Sequence, residues 1–569
     1  MEYVTLFQKN KATFSIIFDK NMDMDLPRYA SAVAFRKKLC ELFDVTLDSS
    51  AAPKLLSDVG CDSYTDRTEI LWGMTDCPEA KEVFDSINPS DYGFCVVGDK
   101  IVLYGNTLDE INAGADALIE QLKQNVCHDD SGNLIIKLPK TARQNFSSRE
   151  LAIFQLPTPK VGTSAILCDD GDDARMWVVE GCVSEDFDIY IADLEKCGFA
   201  VYSTNEIRNN LSSGDKINRY ATYTKDDITA DVWYTVDGYL YVTAGRGFDL
   251  PPKSVKAYEK VSETGLTIVG PARDVTRGET LFFFRLEDGS FFVSDGAGFD
   301  YMGDVLLAEL EKQAPDPNNI VISCWLISHS HGDHTGAFVG LAKKMDSLKG
   351  KVTVKSIMYN FAGYEQSRVP RQGLGNGDRN LRNIINEVYP DAKKYKVRPG
   401  NKFDFANMHV EVLNTHEGNI KNRYPMPRNA CNVAVKVTVE GQTIILMADT
   451  SPLDNVTLGK VYGDYLKCDI LEASHHGVQK GGIVSTNLLH APEVVLFMEL
   501  WREDRMMTRV SLDFNQALID TAQNPNFKEF ICHDQVVTYL PLPYTPGTKI
   551  TMPHAAGFFD NDFLQQIKK

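Results

Sequence analysis

SHSHGDHTG, at residues 328–336, places three histidines and one aspartate within six positions: His329, His331, Asp333 and His334. The apolar run Val321–Ile327 leads directly into this stretch. A run of that length, with β-branched residues and no polar period, indicates a buried strand. Residues 337–345 have the apolar spacing of a helix. We therefore expect the four side chains on a loop between a strand and a helix, where they can turn towards one point.

Two later strands are predicted to end in similar residues. The apolar run Thr443–Ala448 leads into Asp449, and a run that begins at Ile470 leads into Ser474–Gly477, which reads SHHG. Because buried strands bring their terminal residues to one rim of a sheet, the three strand ends together predict a single site. Imidazole and carboxylate groups in combination suit zinc or another borderline divalent metal.

The order of these motifs resembles that of the metallo-β-lactamase superfamily. It is most similar to the domain of this superfamily in bacterial competence DNA-uptake channel proteins, which carries a similar HHG ending, and to the superfamily's choline-phosphate esterases. The resemblance covers about residues 265–545. It implies an αββα sandwich with a two-metal site on one edge, so we expect two zinc ions, with manganese or iron as the alternatives.

The ligand set that the resemblance implies has two parts bridged by Asp449. One metal would be held by His329 and His331. The other would be held by three residues: Asp333, His334 and one histidine of the SHHG stretch. Of the two histidines in that stretch we prefer His475, because it lies nearer to the strand end. His476 would then lie behind the ligands.

One position of the superfamily pattern is open in this sequence. Many members supply a further histidine to the first metal, between the first motif and the bridging aspartate. His416 follows a predicted strand and is the candidate, whereas His409 precedes that strand and should point elsewhere. The subgroup with the HHG ending often lacks this ligand and has asparagines nearby, as at Asn429–Asn432. One metal instead of two is therefore an alternative.

The N-terminal half is predicted to form two smaller modules. Residues 1–150 have the pattern of an α/β module, and residues 151–262 that of an α+β module with a helix on an antiparallel meander. The predicted catalytic domain is 263–569. Within the first module, residues 12–125 resemble the non-catalytic N-terminal module of family 20 hexosaminidases, which implies a scaffold without chemistry.

Composition limits the class of protein. The chain of 569 residues has a formal net charge of −19 and no run rich in lysine and arginine, which argues against a nucleic-acid partner. It has no apolar run of eighteen residues and no N-terminal signal pattern, so no membrane association is expected. Its 12 cysteines are scattered singly, as in reduced proteins. We therefore expect a cytoplasmic protein.

The function predicted from these features is metal-dependent hydrolysis. A metal-activated hydroxide would attack a small-molecule ester or a phosphodiester substrate, and Asp333 and Asp449 would orient the nucleophile and carry its proton. Loops within 360–380 and 417–431 are expected to shape the substrate pocket. The alternative is a non-catalytic binding or scaffold protein that retains the fold.

Overall fold

The computed structural model describes residues 2–19, 26–58, 68–87, 91–105, 108–147, 151–171, 174–214, 216–254, 257–270, 279–362, 375–419, 428–477, 482–498, 524–532 and 536–555. The chain forms two compact units. One comprises Met1–Leu151 with a short later segment, and the other comprises nearly all of the chain from Ala152 onwards. The predicted division into three domains, at residues 150 and 262, stays a prediction.

The N-terminal unit is built on two sheets. The smaller has the order β2-β1-β9-β8, with β1 Tyr3–Gln8, β2 Lys11–Ala12, β8 Val126–His128 and β9 Leu134–Pro139. The larger has the order β10-β6-β7-β5-β3-β4, with β3 Phe14–Phe18, β4 Lys54–Ser57, β5 Thr68–Trp72, β6 Asp91–Val97, β7 Lys100–Tyr104 and β10 Arg143–Ser147. The helices are α1 Leu26–Phe43, α2 Pro78–Ser86 and α3 Leu108–Gln124.

Neighbouring residues of the larger sheet pack on opposite faces, as a strand period of two requires. Ile16 lies in one apolar core with residues of α1 and α3, and Ile17 in another with residues of α2. The strands β6 and β7 form a hairpin around Gly98, whose positive φ of 62° suits a tight turn. The α/β character predicted for this region is confirmed, and its likeness to the hexosaminidase module stays a prediction.

The second unit begins with an antiparallel sheet, here called the accessory sheet. Its order is β11-β12-β16-β15-β14-β13, with β11 Ser164–Gly171, β12 Ala174–Glu180, β13 Ala200–Arg208, β14 Ile217–Lys225, β15 Ile228–Thr235 and β16 Tyr239–Arg246. The helix α4, Ser184–Lys196, packs on it through Phe187, Tyr190 and Leu194. This is the predicted arrangement of a helix on an antiparallel meander.

Two further sheets carry the C-terminal half. In the first, the order is β23-β22-β20-β19-β18-β17-β31-β32 with β21 beside β20, and the strands are β17 Gly265–Val269, β18 Leu281–Arg285, β19 Phe291–Asp295, β20 Ile320–Ile327, β21 Val352–Val354, β22 Ser356–Tyr359, β23 Lys393–Lys396, β31 Val537–Pro541 and β32 Ile550–Met552. In the second, the order is sequential from β24 to β30: β24 Lys402–Phe405, β25 Met408–Asn414, β26 Ala434–Val439, β27 Gln442–Leu446, β28 Ile470–Glu472, β29 Val494–Phe497 and β30 Glu529–Cys532.

The two sheets face each other across one apolar core, and helices cover their outer faces. Phe282 and Phe284 of β18 lie in the core shared with the second sheet, whereas Phe283 lies in the core shared with the helices. The helices on the first sheet are α5 Met302–Gln313, α6 Gly332–Ala342 and α7 Gly375–Glu387. Those that follow strands of the second sheet are α8 Pro452–Tyr462 and α9 Val484–His490. The predicted αββα sandwich is confirmed.

The accessory sheet packs against the outer side of the sandwich, next to α8. Tyr220 and Trp233 of the accessory sheet share one apolar core with Ile445 of β27 and Leu458 of α8. The hydroxyl groups of Tyr220 and Tyr462 are 3.1 Å apart within this core. Among the described residues, no helix is long and apolar enough to cross a membrane.

Candidate metal centre

The side chains of the predicted site lie just beyond the carboxyl ends of parallel strands. β19 and β20 are parallel neighbours in one sheet, and β27 and β28 are parallel neighbours in the other. His329 follows β20, Asp449 follows β27, and His475 follows β28. Parallel neighbours end at the same edge of a sheet, and the sandwich brings the two edges together. This places residues that are more than a hundred positions apart in the sequence in one site.

The helix α6 begins earlier than the sequence predicted. It starts at Gly332, with His331 as the N-cap residue, so Asp333 and His334 lie in its first turn and not on a loop. Gly336 allows this helix to pack closely, because a Cβ atom there would lie 2.3 Å from the backbone nitrogen of Phe299. A carboxylate is also favoured in the first turn, where backbone N–H groups point outwards.

One group of donor atoms, here called the Asp333 group, consists of Asp333, His334 and His476. The two Nε2 atoms of His334 and His476 are 3.3 Å apart. Asp449 Oδ1 lies 3.0 Å from the first of these nitrogens and 3.3 Å from the second. Asp333 Oδ2 lies 3.8 Å from His476 Nε2. Four donor atoms therefore converge from α6, from the end of β27 and from the end of β28.

A second group, here called the His329 group, consists of His329, His331 and Asp449. His329 Nε2 and His331 Nδ1 are 2.9 Å apart. Asp449 faces them with its other oxygen: Oδ2 lies 3.6 Å from the His329 nitrogen and 4.0 Å from the His331 nitrogen. The carboxylate of Asp449 thus presents one oxygen to each group.

These distances fit two groups of ligands for divalent ions. Around a tetrahedral zinc with bonds of about 2.0–2.1 Å, neighbouring donor atoms are about 3.3 Å apart. Asp449 Oδ1 is buried, and its polar neighbours are the imidazole nitrogens of His334 and His476. A buried carboxylate needs such cationic or donor partners, and a metal ion held by the same imidazoles would also satisfy it. The donors are nitrogen and oxygen atoms, which suits zinc and also iron or manganese.

The ionisation states of the buried groups favour cation binding only in part. Burial lowers the pKa of His329 well below its usual value, and burial also lowers the pKa of His476. Both rings are therefore neutral at neutral pH and offer a lone pair. Burial acts in the same direction on His334, but the carboxylates of Asp449 and Asp295 outweigh it and raise the pKa of that ring well above its usual value. A metal must therefore displace a proton from His334.

Asp295 orients the ring of His334 from behind. Its Oδ2 lies 2.7 Å from His334 Nδ1 and accepts a hydrogen bond of 2.9 Å from the Ser328 hydroxyl group, and its Oδ1 accepts another of 2.9 Å from the Ser328 backbone nitrogen. The residue adopts a positive φ of 61°, which costs an aspartate less than most residues. With Nδ1 bound to a carboxylate, Nε2 is left facing the site. Asp295 therefore braces the His334 ring from behind the site.

Thr280 supports the other histidine of the Asp333 group. Its hydroxyl group lies 3.1 Å from His476 Nδ1, and its backbone nitrogen donates to the backbone oxygen of Asp333. Thr280 was not predicted, because a single threonine before a strand has no pattern that would distinguish it.

Asp449 is held by the polar groups around it. Asn429 Nδ2 donates to its Oδ2 over 3.1 Å, and Asn432 Oδ1 accepts from its backbone nitrogen over 3.3 Å. Burial favours the neutral form of Asp449, but His334 and the other imidazoles outweigh it and keep its pKa well below the usual value. Burial raises the pKa of the nearby Glu472 to about 8. The carboxyl group of Glu472 accepts a hydrogen bond from the backbone nitrogen of Ala448. Asn429 therefore contacts the carboxylate of Asp449, and Asn432 contacts its backbone.

The structure places His476, and not the preferred His475, in the Asp333 group. Both histidines have left-handed backbone conformations, with φ of 53° at His475 and 58° at His476. The backbone therefore turns back on itself after β28, and nearness to the strand end does not decide which ring enters the group. His475 Nε2 instead lies 3.6 Å from Asp449 Oδ2.

The structure places His416 away from the two metal-binding groups. Its Nε2 lies 3.3 Å from Asp170 Oδ1, and its Nδ1 lies 3.7 Å from Glu417 Oε2. His409 lies within β25, is partly exposed and pairs with Asp404 over 2.6 Å. Asp170 was not predicted as a neighbour of His416, because it belongs to the accessory sheet, some 250 residues earlier.

His416 belongs to a fully buried set of charged residues, here called the Asp170 cluster: Asp170, Lys396, Arg398, His416 and Glu417. Arg398 contacts both carboxylates, reaching Glu417 with Nε over 3.2 Å. Three of these residues could offer donor atoms to a metal. However, Lys396 and Arg398 already balance the two carboxylates, so a divalent ion would add two uncompensated charges to a buried site. We interpret the cluster as structural.

Most of the two loops expected to shape the pocket lies outside the described residues, at 363–374 and 420–427.

Comparisons with known proteins show similarity of structure only. No family model matches the sequence. No curated protein sequence matches it either. Among solved structures, CmlA, a diiron β-hydroxylase from Streptomyces venezuelae, aligns with 13% identity and a TM-score of 0.29, covering 49% of this chain and 54% of that one. The chain thus spans about half the length of that enzyme.

Two proteins from Thermotoga maritima are also similar. One is described as a Zn-dependent hydrolase of the metallo-β-lactamase superfamily, with 13% identity and a TM-score of 0.22 over 47% of this chain and 98% of that one. The other is a variant of a flavo di-iron protein, with 10% identity and a TM-score of 0.19 over 57% of this chain and 61% of that one. Similarities at this level do not assign a function.

Proposed function

We propose that the C-terminal half is a hydrolase domain of the metallo-β-lactamase superfamily that works with two divalent metal ions. The observation that carries the proposal is the position of Asp449, which offers Oδ1 to the Asp333 group and Oδ2 to the His329 group. The motif order in the sequence and the αββα sandwich support the same assignment. We propose zinc as the resident metal, with iron or manganese as alternatives that the donor atoms would also accept.

A bound pair of divalent ions supplies an activated water and polarises the substrate's carbonyl or phosphoryl oxygen. The chain's own residues provide the rest. Asp295 and Thr280 fix the rings of His334 and His476 so that their Nε2 atoms face the site. Asp449 is buried and is held by Asn429 and Asn432. Its role is therefore to orient the ligands around it from a fixed position.

Asp333 is the residue best placed to accept a proton. Its side chain is 27% exposed, whereas that of Asp449 is 2% exposed. A carboxylate at the rim of the site can exchange a proton with solvent after each turnover, but a buried one cannot do so readily. We therefore assign proton transfer to Asp333 and bridging to Asp449.

We propose a phosphodiester or an ester as the substrate. The HHG ending and its resemblance to phosphodiester-cleaving relatives support this choice, and the net charge of −19 argues against long nucleic acids. The cysteines that the structure describes form no disulfide, which supports a cytoplasmic location. The N-terminal unit and the accessory sheet would serve as non-catalytic modules.

The test is a substrate panel on protein reconstituted with zinc, manganese or iron. Bis(p-nitrophenyl) phosphate, a p-nitrophenyl ester, a lactone and a β-lactam represent the bond types. We expect turnover of the phosphodiester or the ester, its loss in His331→Ala and Asp449→Ala, and its retention in His409→Ala, the matched control. Metal-loaded protein that turns over none of the panel would favour the alternative of a binding or scaffold protein.

A further inference from the structure

We propose that His475 completes the His329 group and supplies the third imidazole of the first metal position. This inference rests on the proposed two-metal function. From the sequence, this position was expected to be filled by His416 or left without a ligand, and His475 was attributed to the other metal. The geometry assigns the two histidines of the SHHG stretch to different ions.

His475 shares one oxygen of Asp449 with His329 and His331. His475 Nε2 lies 3.6 Å from Asp449 Oδ2, the same distance as His329 Nε2, and His331 Nδ1 lies 4.0 Å from it. Three imidazole nitrogens therefore lie within 4.0 Å of one carboxylate oxygen. His476 instead faces the other oxygen, Oδ1, at 3.3 Å.

The backbone conformation of the SHHG stretch separates the two rings. His475 has φ 53° and ψ 53°, and His476 has φ 58° and ψ 6°. A left-handed conformation is unfavourable for a residue with a Cβ atom, so two in succession indicate a functional constraint. The backbone nitrogen of His475 donates a hydrogen bond of 2.7 Å to the backbone oxygen of Ala448, which fixes the turn. It directs each ring to one oxygen of the same carboxylate.

Three other histidines of this domain lie elsewhere. His416 lies in the Asp170 cluster, His409 pairs with Asp404, and His490 Nδ1 lies 3.1 Å from the backbone oxygen of Leu466. His475 is the one of these four histidines that faces Asp449, through its Nε2, and its Nδ1 has no hydrogen-bond partner among the described residues. The ring is 24% exposed, so it has room to rotate towards His329 and His331 when an ion binds.

The experiment counts bound metal ions, so it does not depend on activity. Metal-free protein is dialysed against cobalt(II), bound metal is measured by elemental analysis, and the visible absorption of the bound cobalt reports its coordination. The variants are His475→Gly and His476→Gly, because glycine adopts the left-handed conformation without cost. The variant His331→Ala serves as the reference for loss of the metal ion from the first position. Circular dichroism checks that each variant is folded.

We expect two ions in the natural protein and one in His475→Gly, with the retained ion bound as tightly as before. The double variant His331→Ala/His475→Gly should still hold one ion, since both changes affect the same position. The double variant His331→Ala/His476→Gly should hold none.

Two ions bound to His475→Gly with unchanged affinity would overturn the inference, and so would loss of both ions from His331→Ala/His475→Gly. Either result leaves the proposed function standing. Fewer than two ions in the natural protein would overturn the inference and the proposed two-metal function together.

Discussion

Replacing Asp170 with asparagine should destabilise the protein strongly, although the residue is far from the metal centre in the sequence. Asp170 is fully buried in the Asp170 cluster, where Arg398 and Lys396 are its cationic partners. Asn can still accept a hydrogen bond, but it removes one of the two negative charges that balance these cations. Removing one partner from a buried ion pair costs about 3–5 kcal/mol. We expect about 3 kcal/mol, because the hydrogen bond survives.

The assay is unfolding in urea, comparing Asp170→Asn with Asp188→Asn. Asp188 makes the same type of ion pair, with two contacts of 2.7 Å to Arg219, but its side chain is 57% exposed. An exposed pair contributes about 0–1 kcal/mol. The difference between the two variants therefore isolates the effect of burial.

The pH dependence gives a second readout of the same cluster. Burial raises the pKa of Asp170, but Arg398 and Lys396 outweigh it and keep the pKa well below its usual value. A depressed folded-state pKa contributes stability that is present above the unfolded-state value of about 4 and is lost as the pH falls below it. The deficit of Asp170→Asn should therefore shrink below about pH 4. A deficit no larger than that of Asp188→Asn at pH 7 would refute this reasoning.

Three further predictions concern the metal centre. Asp295→Ala should lower the affinity for metal by about 10–100-fold, because His334 loses the carboxylate that orients it. Equilibrium dialysis measures this affinity, and an unchanged value would contradict the role assigned to Asp295. Gly336→Ala should lower the free energy of unfolding by about 1–3 kcal/mol through the clash with Phe299, whereas Gly332→Ala, with no atom within 4 Å of the added Cβ, should change it less. Metal binding at neutral pH should release a proton, because the raised pKa of His334 keeps its ring charged in metal-free protein. Calorimetry in buffers of different ionisation enthalpy measures the proton release. Binding enthalpies that do not depend on the buffer would count against this prediction.

The parts of the site that follow from local sequence were predictable. Each of His329, His331 and Asp449 follows an apolar run, and the end of a buried strand fixes where the next few residues lie. The beginning of α6 at Gly332 was missed because the histidines interrupt the apolar period there. His331 caps the helix through its backbone, with no capping side chain to indicate the start.

The remaining parts depend on backbone dihedral angles and on contacts between distant segments. The choice between His475 and His476 depends on two left-handed residues in succession, which no pattern of residue types predicts for histidine. The position of His416 depends on Asp170, a residue of the accessory sheet. A single sequence contains no signal that joins these two segments.

The central claim is that Asp449 lies between two metal ions. Crystals of the protein grown with zinc, with diffraction data collected at the zinc absorption edge, test it directly. We predict two peaks of anomalous density, one among the nitrogens of His329 and His331 and the other among the donors of the Asp333 group. A single peak, or zinc in the Asp170 cluster with neither of these positions occupied, would contradict the account.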